Sequence, residues 1–339
     1  MSSPSESFRA AVLAALSYAP DHIEPGKLHR FSTCTKASDR AGWCKLFDDE
    51  RGGVYGCNRQ GIHETWSAVD RRKLTPAERA AWARQTAQAR REREEQQREQ
   101  WAENARRNLR LQAECRRLVP GDPATLYLKR RLLAPLWPAP AALRYHPALS
   151  YWHEGAEVGR FPALVSAITN PADELLALHR TYLTRDGRKA ELPGPVKKVT
   201  AASGHLVGGC IRLGSPRDGV IGIAEGVETA LAASVASGLP VVAAYSAAAL
   251  AGWIWPAGVQ SLVIFGDADK AGRDAADSLR QRAQAAALRV NVMTPATEGA
   301  DWCDVWAARD ESPVAHAFDR LHDFEPANLE GTPHDHNND

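Results

Sequence analysis

The strongest constraint in this sequence is the stretch from Gly219 onward, where short apolar runs alternate with segments of helical spacing. VIGIAEG, PVVAAYS, SLVIFGDAD and RVNVMTP are the runs, and helical segments such as VETALAASVAS and AGRDAADSLRQRAQAAA lie between them. Strands that are apolar at nearly every position are buried on both faces, and linking them through helices gives a parallel sheet with helices on both sides. Ligands of such sheets bind outside the carboxyl ends of the strands. One run ends in Glu225-Gly226 and another in Gly266-Asp267-Ala268-Asp269, so Glu225, Asp267 and Asp269 are expected in one crevice. Asp301 and Asp304 of GADWCDV follow the last run and add an acidic pair near the same edge. Carboxylates grouped in this way repel one another, and hard oxygen donors favour Mg²⁺ or Mn²⁺.

Upstream the pattern changes twice. Pro120-Gly121-Asp122-Pro123 is a strong break, and the segment after it reads as mixed α/β, with strands over 163–169 and 175–183. Before the break, Thr75-Pro76-Ala77-Glu78 carries the capping box and first-turn proline of a helix running to about Leu118. From Arg90 to Gln100 this helix has no apolar residue, which predicts an exposed spacer. Residues 27–67, rich in glycine and aromatic residues, predict a small antiparallel β module. The expected organisation is 1–70 β module with an N-terminal helix, 71–118 charged helical spacer, 119–215 basic α/β domain, 216–324 catalytic domain and 325–339 disordered tail. His334 and His336 fall in that tail.

Charge follows the same division. The net value is −1 over 1–70, +7 over 71–120, +5 over 121–220 and −10 over 221–339, within a total of +1. A basic middle before an acidic end suits a polyanion held by the one and cations held by the other. With 339 residues, 44% of them apolar, the chain can bury more than one core. No apolar stretch reaches the roughly 18 residues of a membrane span, and MSSPSESFRA is no export signal, so a cytoplasmic protein is expected. Its six cysteines are scattered, which predicts reduced thiols.

The E-G strand end, the D-x-D-x-A-G-R strand end and the later D-W-x-D-V, in this order, resemble the Toprim domain of primases and topoisomerases over about Gly219 to Ala308. The resemblance implies a Rossmann-like sheet, metal ligation by Asp267 and Asp269, and Glu225 as ligand or general acid/base. Asp301 and Asp304 would hold or tune a second metal, with Lys270 and Arg273 beside bound nucleotide. Glu228 in EGVET matches a frequent acidic position and equally suits the first turn of a helix. A topoisomerase is not expected, since strand passage needs a tyrosine nucleophile in a separate DNA-gate domain for which the chain has no room.

Tyr127-Leu128-Lys129-Arg130-Arg131, Leu143-Arg144-Tyr145-His146-Pro147 and Leu178-His179-Arg180-Thr181-Tyr182-Leu183 are similar to the region preceding Toprim in phage and plasmid primases, including the primase/helicase type. Lys129, Arg130, Arg131, His179, Arg180, Lys197 and Lys198 are thereby expected to contact phosphate, and Tyr182 to stack on a base. Members of that family often begin with a zinc ribbon or its degenerate form. Cys34, Cys44, Cys57 and His63 are possible Zn²⁺ ligands, but their spacing lacks the two-residue knuckles of a ribbon, and a metal-free module is the default. Trp43, Phe47, Tyr55 and Trp66 are expected to be its core. Ala300 stands where many relatives have lysine.

The function implied is a magnesium-dependent DNA primase that makes short RNA primers from ribonucleotides on single-stranded DNA during phage or plasmid replication. A Toprim nuclease and a non-enzymatic nucleic-acid-binding replication accessory protein are the alternatives. No G-x-x-x-x-G-K-[ST] loop is present, so any helicase is a separate partner.

Overall fold

The computed structural model describes residues 3–35, 40–57, 60–69, 74–132 and 138–308. The expected tail from residue 325, with His334 and His336, lies outside them. The chain divides into two compact units, Met1–Gln100 and Trp101–Asp339.

In the first unit, helix α1 (Pro4–Leu16) precedes four strands, β1 (His29–Phe31), β2 (Gly42–Leu46), β3 (Gly52–Cys57) and β4 (Ile62–Ser67), which form an antiparallel sheet in that order. A capping box between Ser3 and Glu6 starts α1. Phe8, Val12 and Leu16, four residues apart, form its apolar stripe and pack on Cys44, Leu46, Tyr55 and Cys57. Trp66 joins the same core. The opposite face of the sheet packs on helix α2 (Pro76–Glu114): Trp43, Phe47 and Val54 meet Trp82 and Ala89. Gly52 makes room for this helix, because a Cβ there would stand 2.0 Å from the Trp82 ring.

Residues 90–100 are exposed or half-buried, as their lack of apolar side chains predicts, and the helix packs on the sheet through Trp82 and Ala89, ahead of that run. Thr75 and Glu78 do form the capping box, but the helix ends at Glu114, and its charged run is engaged through polar contacts. Lys45, buried on β2, is ion-paired with Glu92, and the Arg93 guanidinium sits 4.6 Å above the Trp43 ring.

Strand alternation separates the possible zinc ligands. Cys44 and Cys57 are buried on the α1 face, with the Cys57 thiol 3.3 Å from the Thr33 hydroxyl. His63 lies opposite Gly56, the neighbour of Cys57, and so projects from the other face, where its ring flanks Trp43 at 5.7 Å. Cys34 follows β1 in a loop. The four do not converge, and among the described residues no group of three or more His, Cys, Asp or Glu side chains is arranged to hold a metal ion.

The second unit contains two sheets. Strands β5 (Arg116–Arg117), β6 (Leu143–His153), β7 (Ala156–Thr169), β8 (Leu175–Tyr182) and β9 (Lys197–Val199) form an antiparallel sheet, with α3 (Pro123–Leu132) packed against it. Asp122 caps α3 through the Thr125 amide at 2.7 Å. The remaining strands, β10 (Val220–Ala224), β11 (Val241–Ala243), β12 (Ser261–Phe265) and β13 (Arg289–Met293), are all parallel in the order β11-β10-β12-β13.

Helices α4 (Val227–Ser237), α5 (Ala247–Gly252), α6 (Lys270–Ala285) and α7 (Trp302–Ala307) connect and cover the parallel sheet. Its strands feed alternate residues to two cores. Ile221, Ile223, Leu262 and Ile264 pack with Leu250 of α5 and Leu279 of α6. Ala224, Val263 and Phe265 pack with Leu231 of α4, Trp302 of α7 and Tyr127 of α3. The second core also takes Leu164 and Ile168 of β7, so the two sheets share it. This is the α/β fold expected from the apolar runs. Among the described residues, no helix is long and apolar enough to cross a membrane.

Candidate active site

Strand order places the acids. From β10 the chain passes through α4 to β11 on one side, then returns through α5 to β12 on the other, so the direction of winding reverses between β10 and β12. A crevice opens at such a reversal, outside the carboxyl ends of the strands. Ala224 lies directly opposite Phe265. Glu225, one residue beyond β10, and Asp267, two beyond β12, thus leave the sheet side by side. The next residues turn at once into helices, with Gly226 as N-cap of α4 and Asp269 as N-cap of α6.

A second loop is fastened to this edge. The Ala268 amide donates to the Ala300 carbonyl at 3.0 Å, and the Gly299 amide donates to the Ala268 carbonyl at 2.8 Å. These two bonds bring Asp301 to the aspartate turn. Gly272 permits α6 to start against that turn, since a Cβ there would stand 2.7 Å from the Asp267 carbonyl oxygen.

The electrostatics agree with this convergence. Burial, then the charges of Glu225, Asp301 and Asp269, push the Asp267 carboxyl up to about 7. Its Oδ1 is buried with no hydrogen-bond partner among the described residues. Burial and then Asp269 raise Glu225 as well. Asp269 has one oxygen engaged as helix cap, accepting from the Gly272 amide at 2.7 Å. Asp301 and Asp304 form the capping box of α7, with the Asp304 carboxylate accepting from the Asp301 amide at 3.1 Å. Asp304 is exposed and is not among the charges acting on Asp267. Four of the five expected acids therefore share one field, and Asp304 serves the helix end. An orphaned, buried carboxylate oxygen among hard donors fits a divalent cation, although the acids are not arranged as a closed cage.

Beside the acids lies a buried polar cluster. Glu228, 3% exposed in the first turn of α4, accepts from the Tyr127 hydroxyl at 2.6 Å and from the Lys197 ammonium at 2.8 Å. Burial pushes this carboxyl up, but Lys197 and Tyr127 more than offset it and hold the group at about 2. The Lys197 charge also acts on Asp267 and Glu225, opposing their rise. His179, 7% exposed, is kept neutral by burial, which lowers it to about 4. Tyr127 and His179 had no distinguishing signal in the sequence as partners of an acidic residue.

The expected basic residues separate. Arg180 lies opposite Lys198 and Thr181 opposite Lys197. Neighbours along a strand point to opposite faces, so Lys197 shares a face with Thr181 and His179, and Lys198 shares the other with Arg180 and Tyr182. On that other face Lys198 sits 3.8 Å from the Tyr151 ring centroid and Arg180 5.9 Å from that of Tyr182. Tyr182 is fully buried, with its hydroxyl donating to the Ser150 carbonyl at 3.0 Å, which removes it as a stacking platform. Arg131 reaches Asp301 at 3.6 Å. Lys129 is exposed, and Arg130 lies 4.0 Å from Asp186. Lys270 pairs with Asp274, and Arg273 grips Glu298 through two bonds of 2.8 and 2.9 Å. Arg131 and Lys197 are brought to the acids, and Arg273 also reaches the aspartate turn, donating to the Ala268 carbonyl at 3.0 Å and standing in the field of Asp269.

Residues 102–213 match a domain of unknown function (DUF7146), and residues 220–311 match the Toprim domain. No curated protein matches the chain significantly. Among solved structures, the zinc-binding and RNA polymerase domains of the Aquifex aeolicus primase are similar at 14% identity and TM-score 0.41, over 94% of this chain and 86% of that one. A DNA primase domain from Pseudomonas aeruginosa is similar at 18% identity and TM-score 0.34 over 51% of this chain, which spans 56% of that domain's length. The primase fragment of the bacteriophage T7 primase-helicase protein is similar at 13% identity and TM-score 0.33, over 56% of this chain and 69% of that one. The reversal in strand winding, the acids at the ends of β10 and β12 and the family match agree: residues 220–311 of this chain are a Toprim domain.

Proposed function

We propose that the chain is a DNA primase-type nucleotidyltransferase that joins ribonucleotides on a single-stranded DNA template, with catalysis at Glu225, Asp267 and Asp269. The observation that carries the reading is the buried, unpartnered Asp267 oxygen at the winding reversal of a Toprim domain, amid three further acids. Asp267, Asp269 and Glu225 would hold Mg²⁺ or Mn²⁺, with Asp301 beside them. Such ions orient an attacking hydroxyl and draw charge from phosphoryl oxygens. The chain's own groups contribute around them. Lys197, held by Glu228, and Arg131, beside Asp301, supply positive charge for a triphosphate. The domain over residues 119–215, with its net positive charge, supplies contacts to the template. A separate helicase would be the partner in replication.

The test is primer synthesis by the full chain with single-stranded DNA, magnesium and labelled ribonucleotides. Short RNA from the wild type and none from Asp267→Ala is expected. No product from the wild type, or equal product from the variant, overturns the reading. Cleavage of DNA in the absence of ribonucleotides would assign the same acids to a nuclease.

A further inference from the structure

The backbone between Asp267 and Asp269 is held from outside its own strand. Ala268, 2% exposed, donates its amide to the Ala300 carbonyl at 3.0 Å, and its carbonyl accepts from the Gly299 amide at 2.8 Å. Residues 296–299 are exposed, so burial does not keep this loop in place. Asp301, next after it, is fixed separately through α7, whose Trp302 and Cys303 are buried.

A side chain ties the loop down. Arg273 leaves the first turn of α6, where its amide donates to the Asp269 carbonyl at 3.0 Å. Its guanidinium donates to the Ala268 carbonyl at 3.0 Å and, through two nitrogens, to both Glu298 oxygens at 2.8 and 2.9 Å. One planar group thereby joins the aspartate turn to the residue that precedes Gly299, with a fork that an ammonium group cannot reproduce. The bonds from Arg273 hold the Glu298 carboxyl below its usual range.

Both members of the pair face water, the Arg273 side chain being 45% exposed and that of Glu298 74%. An exposed pair adds little to global stability, and salt screens it. A short loop held by few bonds, however, opens locally at a cost set by those bonds. Such a tie weakens as ionic strength rises, while β12, buried at every position, does not respond.

We propose that Arg273 and Glu298 are positioning residues for the acids: their ion pair latches residues 298–300 onto Ala268, so that ionic strength sets how firmly the backbone between Asp267 and Asp269 is held. The bearing of this latch on catalysis rests on the metal role proposed for those aspartates, whereas the latch itself does not.

The test is amide hydrogen exchange of the full chain in EDTA, for the wild type, Glu298→Gln and Arg273→Lys, at about 0.05 and about 0.5 M NaCl. At low salt the Ala268 and Gly299 amides should exchange about threefold faster in Glu298→Gln than in the wild type. Salt should bring the wild type toward the variant and leave the variant unchanged, with the amides of residues 261–265 alike throughout. Equal exchange in the two proteins, or an equal response to salt, overturns the latch. Mn²⁺ binding followed by electron paramagnetic resonance then reads position. Arg273→Lys leaves every charge in place, so its Mn²⁺ affinity should fall about twofold to threefold through the lost fork alone. Faster exchange with unchanged Mn²⁺ affinity overturns the positioning role. A wild type that binds no Mn²⁺ overturns the metal role of the acids, while exchange in EDTA still decides the latch.

Discussion

Glutamine at position 228 probes the buried link beside the acids. The Glu228 carboxylate is 3% exposed and accepts from Tyr127 at 2.6 Å and Lys197 at 2.8 Å. Removing one member of a buried ion pair costs about 3–5 kcal/mol when the remaining charge stays buried. In Glu228→Gln the remaining charge is Lys197, whose side chain is 37% exposed and able to turn toward water. The glutamine oxygen also keeps an acceptor for Tyr127, so the expected loss is about 2 kcal/mol. Lys197→Met leaves the carboxylate stranded instead, and about 3–4 kcal/mol is expected. The double variant should then be less destabilised than the sum of the two, with a coupling of about 1–3 kcal/mol. Urea unfolding followed by circular dichroism measures all four proteins. A Lys197→Met loss no greater than that of Glu228→Gln, with additivity within about 0.5 kcal/mol, would refute the view that the pair is a coupled buried unit.

Asp267 links stability to pH. Its folded-state value of about 7 lies above the ordinary 3.8, so the folded chain retains a proton that the unfolded chain releases. Stability from this group is present below about pH 4 and is lost as pH rises through about 7. Asp267→Asn should therefore be more stable than the wild type at pH 8, on the order of 2 kcal/mol, and should match it near pH 4. Denaturation at the two pH values checks this, and parallel curves for the two proteins would contradict it. Gly272→Ala places a Cβ 2.7 Å from the Asp267 carbonyl oxygen and should cost about 1–3 kcal/mol while displacing the aspartate turn. Thermal unfolding together with primer yield reads both effects, and wild-type behaviour in both would show that the turn has slack.

The parallel sheet and its acids were legible because strand burial and strand ends are written locally. An apolar run followed by Glu225-Gly226, and another by Gly266-Asp267, need no distant information. The role of Glu228 did depend on distant residues. A carboxylate in the first turn of a helix has the same local sequence whether it faces water or Lys197 and Tyr127. Lys197 and Lys198 were indistinguishable for a similar reason: the register with β8 decides which faces the acids, and sequence does not state register. For α2, apolar periodicity did not disclose the contacts of the charged run, since Arg93 and Glu92 engage the sheet through a ring face and an ion pair. His63 failed as a companion of Cys44 and Cys57 because one step along a strand reverses the face.

The adjacency of two lysines in β9 has a consequence for tolerance to error. An edge strand of three residues has little to fix its alignment, and a slip of one position would turn every side chain over. Here a slip in one direction would set Lys198 in the place of Lys197 and still present an ammonium group to Glu228, while a slip in the other would set Val196 there. The doublet thus keeps a charge beside the acids through the loss of a single residue in the segment leading into the strand, whereas an insertion there would put Val196 in its place.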